Sequence, residues 1–203
     1  MSEILYETYF DKNDSVFTDI FEYVPKGHLN YQLSTFNCQL RERGTDMAIV
    51  TFYNCDPKDA PKTTMPAHLG ANAILTFQGK LLLEKRRDSD IWGLVGGGCK
   101  KTETGREAIA REAYEELGVR IPKDKFQKLD IYDNPGRIAA FRDGSIWRMV
   151  IVVYGYEFPE EPVLRISSES KELRFFSKEE IPGIEIAVTH ADIVHDWFVN
   201  GGK

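Results

Sequence analysis

The chain has 203 residues, of which 42% are hydrophobic and 29% are charged, and its net charge at pH 7 is −6. This composition is typical of a globular protein of one or two domains, without a transmembrane helix and without an extended basic surface for nucleic acid. The cysteines, Cys38, Cys55 and Cys99, are widely spaced and odd in number, which argues against a zinc site or a disulfide framework. Together with an acidic N-terminal sequence that lacks signal-peptide features, they predict a cytoplasmic protein.

Residues 1–66 are predicted to form an N-terminal extension. Apolar residues at helical spacing predict a helix within residues 6–24, and β-branched and aromatic residues predict strands over 30–41 and 46–53. Three prolines within residues 54–66 predict a loop or linker. Three roles of the extension stay open: it caps the sheet, builds a homodimer interface or covers the substrate.

A strand, a tight turn and a second strand follow, over residues 71–77, 78–79 and 80–84. The glycine-rich stretch WGLVGGG at residues 92–98 then leads into a predicted helix over 105–117. Thr104 and Glu107 have the spacing of a capping box at its start, and Gly118 suits its C-terminal end. One face of this helix is predicted to be buried through Ile109, Ala113 and Leu117.

The same helix carries three carboxylates on one face, at Glu112, Glu115 and Glu116. Like charges at this spacing repel each other, so the helix needs a compensating cation. Arg111 can reach Glu115 one turn on, or turn back to Glu103, but it cannot neutralise all of them. Hard divalent cations prefer oxygen ligands, and the cluster therefore predicts a Mg²⁺ site in which Mn²⁺ can substitute.

The C-terminal half is predicted to contain strands, turns and a closing helix. Turn residues are at 133–136 and 142–145, and the last helix is amphipathic, with Ile193, Val194, Trp197 and Phe198 on its buried side. His190 and His195 are predicted to be polar residues of that helix and not ligands. The predicted elements are strands over 126–132, 137–141, 146–158 and 173–176, a short helical turn at 177–182 and a helix over 189–199.

The spacing of the central stretch resembles the box of the Nudix hydrolase family. Gly97 is followed after five residues by Glu103, and Glu103 after seven by the sequence REAYEELGV, so every fixed position of the box is filled. The lead-in resembles that of the family too, except that Val95 stands where the family has proline. The resemblance covers about residues 67–200 and implies an α+β fold, the α/β/α sandwich with a mixed β-sheet. The domains expected are the extension, 1–66, and a Nudix hydrolase domain, 67–203.

The resemblance implies hydrolysis of a diphosphate bond in a nucleoside diphosphate linked to another moiety. Carried over by position, Glu112 and Glu116 are metal ligands, Glu115 is a ligand or the base, and the carbonyl of Gly97 binds metal. Glu103 and Arg111 match the pair that braces the loop against the helix in the family. A second source of the base is the loop before the last short strand, where Glu169 is the better positional match and Glu172 the alternative.

The substrate is expected to be a small nucleotide, with ADP-ribose or a nucleotide sugar favoured. Pro135, sixteen residues past Val119, resembles the ADP-ribose pyrophosphatases of the family, although Pro-Gly is also a good hairpin turn. A nucleoside triphosphate pyrophosphohydrolase, a non-catalytic nucleotide sensor and an isomerase that uses Cys99 are the alternatives. The residues predicted to bind substrate are Arg86, Arg87, Trp92, Arg137 and Trp147.

Overall fold

The computed structural model describes residues 50–87 and 90–199, and the helix and strand expected within residues 1–49 lie outside the described residues. The chain forms nine strands and two α-helices in this part. Among residues 50–87 and 90–199, no helix is long and apolar enough to cross a membrane. The elements are β1 (Val50–Asn54), β2 (His68–Phe77), β3 (Lys80–Arg86), β4 (Trp92–Gly93), β5 (Val95–Gly98), α1 (Gly105–Leu117), β6 (Gln127–Tyr132), β7 (Arg137–Phe141), β8 (Ile146–Glu157), β9 (Ser170–Phe176) and α2 (Ala191–Val199).

The strands form one mixed sheet whose centre is the parallel pair β2 and β8. β8 also pairs antiparallel with β6 and β7, and β7 pairs with β1. On the other side of β2 lie β3 and β5, and β3 continues to β4 and β9. Gln78 and Gly79 join β2 to β3, both with positive φ, as the twist of a two-residue hairpin requires.

Each helix covers one face of the sheet, because side chains alternate between the two faces along every strand. Ala71, Ala73 and Leu75 of β2 pack with the buried stripe of α1, whereas Ile74 between them packs with Ile193 and Val194 of α2. The expected α/β/α architecture is confirmed. The predicted burial of Ile109, Ala113 and Leu117 is also confirmed, while Trp197 and Phe198 are only partly buried.

Strand β1 joins this sheet although it lies in the predicted extension. It runs antiparallel to β7 from the Val50–Phe141 pair to the Asn54–Arg137 pair. The expected linker is fastened as well, since the amides of Thr64 and Met65 donate to the carbonyl of Ile146. Residues 50–66 are therefore hydrogen-bonded to the strands of the domain predicted to begin at 67.

Candidate active site

Helix α1 begins and ends at the residues that its capping chemistry predicts. The Thr104 hydroxyl accepts the Glu107 amide at 3.3 Å, and the Glu107 carboxylate accepts the Thr104 amide at 3.0 Å. Gly118 closes the helix with φ of 70°, a left-handed conformation that costs glycine least. These caps fix where the helix begins and ends, while the buried residues Ile109, Ala113 and Leu117 fix the face that it turns to the sheet.

Strand β5 lies directly against the carboxylates of α1. The Gly96 amide donates to Glu116 Oε2 at 2.9 Å. A Cβ atom at Gly97 would stand 2.6 Å from Glu112 Oε1, and one at Gly96, where φ is 141°, would stand 2.2 Å from the Ala71 carbonyl oxygen. Glycine is therefore required here because backbone packs where side chains would otherwise lie.

Arg111 links the glycine-rich strand to the acidic face of α1. Its guanidinium binds Glu103 through Nε at 2.7 Å and Nη2 at 3.0 Å, and Nη2 also donates to the Gly98 carbonyl at 3.1 Å. Nη1 donates to Glu112 at 2.7 Å and to Glu115 at 2.9 Å. The contacts expected of Arg111 with Glu103 and Glu115 are both present. This hydrogen bonding lowers the pKa of Glu103 and raises that of Arg111.

Glu116 is the most deeply buried of the three box carboxylates, with 8% of the residue exposed. Burial raises its pKa to about 9, and the negative charge of Glu84 acts in the same direction. Burial also raises the pKa of Glu112, against the opposing effect of Arg111. Carboxylates held in such surroundings need a proton or a cation to be stable.

Glu84 on β3 is a residue that the sequence analysis missed. It is 3% exposed, and its Oε1 accepts the Ser170 hydroxyl at 2.5 Å. No other hydrogen bond to its carboxylate is found among residues 50–87 and 90–199. The signal was a single acidic residue directly after the apolar run LLL in a predicted strand, because a carboxylate buried there is rare unless it has a partner or a function.

The donor set suits Mg²⁺ or Mn²⁺, because it consists of carboxylate oxygens and the backbone oxygen of Gly97. In the described part of the chain, however, no three His, Cys, Asp or Glu side chains are already gathered to hold one ion. Glu112 and Glu115 are instead turned to Arg111. Arg111 uses one oxygen of each of these two carboxylates, so a metal held here would compete with the guanidinium for those oxygens or bind the second oxygen of each.

Of the residues predicted to bind substrate, Arg86 and Trp147 lie near the box carboxylates or beside a ring that borders the glycine-rich strand. Arg86 lies near enough to Glu116 for its charge to lower that residue's pKa. Trp147 is half-buried and stands edge to face with His68 at 6.0 Å between ring centroids. A Cβ at Gly98 would be 2.6 Å from His68 Nε2, so the His68 ring borders the glycine-rich strand and Trp147 stands against that ring. His68 was also missed by the sequence analysis.

Trp92 and Arg137 do not have the exposed positions expected of substrate-binding residues. Trp92 is 7% exposed and packs edge to face on Phe176 at 4.7 Å. Arg137 is 0% exposed, and its guanidinium binds Asp192 and the Thr189 carbonyl. Packing at Trp92 and hydrogen bonding at Arg137 therefore hold both side chains away from solvent.

Of the two residues proposed from sequence as the base, Glu169 lies in the loop before β9, whereas Glu172 lies on β9 itself and not in that loop. Arg87 fastens this loop, donating its amide to the Glu169 carbonyl at 2.8 Å and its Nη2 to the Ser170 carbonyl at 3.0 Å. The carboxylate of Glu169 is exposed and makes no hydrogen bond or ion pair with any residue that the structure describes. Glu172 is exposed on β9, opposite Lys85.

Cys99 does not have the character of a catalytic nucleophile. Burial raises the pKa of its thiol to about 12, and the charge of Glu103 adds to this shift. Since the thiolate is the reactive form, this thiol stays protonated and unreactive at neutral pH. The isomerase alternative therefore gains no support from the site.

The turn at Pro135 and Gly136 has a structural explanation. The Asn134 carbonyl accepts the Arg137 amide at 2.9 Å across the turn. A Cβ at Gly136 would stand 2.0 Å from the Cys55 carbonyl oxygen, so glycine is needed where the end of β1 meets the turn.

Comparison with known proteins places this geometry in a family. The family model described as NUDIX domain matches residues 66–198. A MutT-like protein of Streptomyces ambofaciens is 28% identical over 129 residues, which are 64% of this chain and 75% of that protein.

Solved structures of the same fold include the NUDIX domain of Shewanella oneidensis NrtR in complex with ADP ribose. It is 19% identical, with a TM-score of 0.52 over 72% of this chain and 94% of that one. A bifunctional NMN adenylyltransferase/ADP ribose pyrophosphatase of Francisella tularensis, complexed with AMP and a manganese ion, is 19% identical with a TM-score of 0.52 over 70% of this chain and 44% of that longer one. With the family model spanning both helices and the whole acidic face of α1, this chain belongs to the Nudix hydrolase family.

Proposed function

We propose that the protein hydrolyses a diphosphate bond in a nucleoside diphosphate linked to another moiety, with ADP-ribose or a nucleotide sugar as substrate and Mg²⁺ as cofactor. Nudix hydrolases act on nucleoside diphosphate derivatives and use divalent metals. The observation that carries the proposal is the buried Glu116, bonded to the Gly96 amide beside the Glu112 that touches Gly97. Such carboxylates are stable together when a cation lies among them.

Glu112, Glu115, Glu116 and the carbonyl of Gly97 would hold the metal. A divalent ion in that position neutralises phosphate charge and lowers the pKa of a bound water. Arg111 and Glu103 keep the glycine-rich strand in place through their bidentate ion pair. Arg86, whose charge already acts on Glu116, is positioned to bind a phosphate oxygen.

The proton of the attacking water must pass to a base. We assign this role to Glu169, with Glu172 as the alternative and the box residue Glu115 as the third candidate. The Glu169 carboxylate is exposed and has no competing partner in the described part of the chain, while its backbone is held by Arg87. A carboxylate in this setting is available to accept a proton from water.

The nucleoside part of the substrate is assigned to the rings of Trp147 and His68. The His68 ring borders Gly98, the last residue of the glycine-rich strand, and the Trp147 ring stands edge to face with it. An aromatic face is a suitable surface for a base. Two proteins of the same fold have ADP ribose or AMP in their structures. Their 19% identity to this chain shows the fold alone, so the substrate class rests on the residues named above.

A panel of substrates tests the proposal. ADP-ribose, nucleotide sugars and nucleoside triphosphates are incubated with and without Mg²⁺, and the nucleotide products are separated by ion-exchange chromatography. Cleavage of the diphosphate-linked compounds is expected, with no cleavage in EDTA. Preferential cleavage of triphosphates would instead identify a nucleoside triphosphate pyrophosphohydrolase.

A matched pair of variants ties the activity to the site. Glu116→Gln is expected to fold normally and lose nearly all hydrolysis, whereas Glu161→Gln, in an exposed loop, is expected to behave like the wild type. Survival of activity within a few-fold in Glu116→Gln would exclude this metal assignment.

A non-catalytic nucleotide sensor is the second candidate. It is favoured by one observation, that Arg111 offsets the charges of Glu112 and Glu115 through ion pairs formed without a metal. No hydrolysis across the panel, with ADP-ribose binding retained in calorimetry, would identify the sensor. A cytoplasmic location and a homodimer remain predictions of the sequence, and light scattering after gel filtration tests the second.

A further inference from the structure

The backbone between β4 and β5 is interrupted at Leu94, which belongs to neither strand. Its side chain is buried, so its amide needs a hydrogen-bond acceptor from the protein. The acceptor is Nδ1 of His190, at 3.1 Å. His190 precedes α2, so this bond joins the closing helix to the lead-in of the glycine-rich strand.

The neighbouring contacts leave this ring little freedom. A Cβ at Gly93 would stand 3.0 Å from His190 Nδ1, so the ring packs against the backbone beside the residue it bonds. The Trp92 amide donates to the Glu185 carbonyl at 3.0 Å, and the Trp92 carbonyl accepts the Ala187 amide at 2.8 Å. The segment before α2 therefore binds the stretch that leads into β5 at two residues. Its backbone is hydrogen-bonded to Trp92, and the His190 imidazole is hydrogen-bonded to Leu94.

Leu94 is connected to the box carboxylates through the residues that follow it in the chain. Two residues after Leu94, the Gly96 amide donates to the Glu116 carboxylate, and Gly97 then touches Glu112. Gly96 has no room to shift towards β2, because a Cβ added at this residue would meet the Ala71 carbonyl oxygen. A displacement of Leu94 is therefore passed to the two glycines that position the box carboxylates.

We propose that His190 is a positioning residue, which holds the Leu94 amide through its unprotonated Nδ1 and thereby places Gly96 and Gly97 for metal binding by Glu112 and Glu116. Since Nδ1 accepts a hydrogen bond, the proton of the neutral ring is on Nε2. Burial lowers the pKa of His190, and the positive charges of Arg137 and Arg86 act in the same direction, which keeps Nδ1 unprotonated. The role in metal binding rests on the function proposed above.

Three substitutions of His190 distinguish the effect of losing the hydrogen-bond acceptor from the effect of changing the volume of the side chain. In His190→Asn the amide oxygen takes the place of Nδ1, in His190→Gln the acceptor moves to the place of Nε2, and in His190→Leu the acceptor is lost. His195→Leu, at an exposed position of α2, is the matched control. Mn²⁺ affinity is measured by calorimetry without substrate, and kcat and KM are measured on the best substrate of the panel.

The Leu and Gln variants are expected to lose about tenfold or more in Mn²⁺ affinity and kcat with little change in KM, as happens when a residue supporting metal ligands is removed. The Asn variant is expected to keep most of both. Wild-type Mn²⁺ affinity and kcat in His190→Leu would overturn the proposal. An equal loss in all three variants, matched by an equal fall in Tm, would make His190 a packing residue and overturn it too.

A measurement on the wild type does not depend on how the variants fold. Long-range proton–nitrogen NMR spectra of the histidine rings are expected to show His190 Nδ1 without a proton at pH 7, and a protonated Nδ1 would refute the bond. Because Mn²⁺ affinity needs no turnover, a chain that binds Mn²⁺ through this loop and hydrolyses nothing would refute the proposed function and leave the role of His190 standing.

Discussion

Gly97 and Glu112 are in direct contact: a Cβ at residue 97 would lie 2.6 Å from Oε1 of the carboxylate and 2.9 Å from its Cδ. This contact joins the glycine-rich strand to the acidic face of α1 without an intervening side chain. It gives the glycine of the box a steric role at Glu112 in addition to any role of its carbonyl.

Gly97→Ala is therefore expected to displace the Glu112 carboxylate. Its φ does not lie in the left-handed region, so the new methyl group acts on the carboxylate and not through backbone strain. A loss of about tenfold or more in Mn²⁺ affinity and kcat is expected, as for other disturbed metal ligands. Gly183→Ala is the control, because a Cβ there meets nothing within 4 Å. Equal kinetics in the two variants would contradict the steric account.

Stability of the metal-free protein should depend on pH through Glu116. Its pKa is raised from 4.5 to about 9 by burial and by the charge of Glu84. A carboxyl whose pKa is raised by folding contributes its full stabilisation at pH values below its pKa in the unfolded state. This contribution is lost as pH rises through the pKa of the folded state. Thermal melts in EDTA between about pH 5 and about pH 9 should therefore show a fall in Tm that is smaller in Glu116→Gln. Parallel curves for the two proteins would argue against a buried, protonated Glu116.

Glu84 is expected to strengthen cation binding through its charge. Glu84→Gln keeps an oxygen for the Ser170 hydroxyl but removes the negative charge beside Glu116, so Mn²⁺ affinity should fall about tenfold. Ser170→Ala keeps the charge and removes the hydrogen bond, which should cost about 1 kcal/mol or more in stability with metal affinity largely kept. Calorimetry and chemical denaturation separate the two effects. The assignment fails if Glu84→Gln binds Mn²⁺ as the wild type does.

The identity of the base can be read from pH–rate profiles. Glu169→Gln is expected to lower kcat about a hundredfold, the usual contribution of a general base, and to remove the fall in rate on the acidic side. Glu172→Gln, opposite Lys85 on the sheet, is expected to change kcat only a few-fold. If neither variant loses more than about tenfold, the base belongs to the box.

The sequence predicts best what depends on neighbouring residues. The bounds of α1 at Gly105 and Leu117 were predicted because a capping box and a terminal glycine act within one helical turn. The reach of Arg111 to Glu103 and Glu115 was likewise predicted, since it follows from helical spacing.

What the sequence did not predict depends on pairing over long distances along the chain. Strand β1 finds β7 more than eighty residues away, and no local pattern specifies that partner. Arg137 and Trp92 were candidates for substrate binding because their side chains suit ligands, but in the fold Arg137 binds Asp192 and Trp92 packs on Phe176. Glu84 comes near Glu116 because β3 pairs with β4, the strand that leads into the glycine-rich strand.

Under the proposed function, Arg111 would compete with the metal. Its guanidinium binds Glu112 Oε1 and Glu115 Oε2, so a cation bound to these two oxygens would gain only the difference between its own attraction for them and that of the arginine. The same ion pairs offset the like-charge repulsion on α1 without a cation, and they would make the site bind metal less tightly than three bare carboxylates. Metal affinity can then be adjusted through the strength of the Arg111–Glu103 pair, with no change to any ligand.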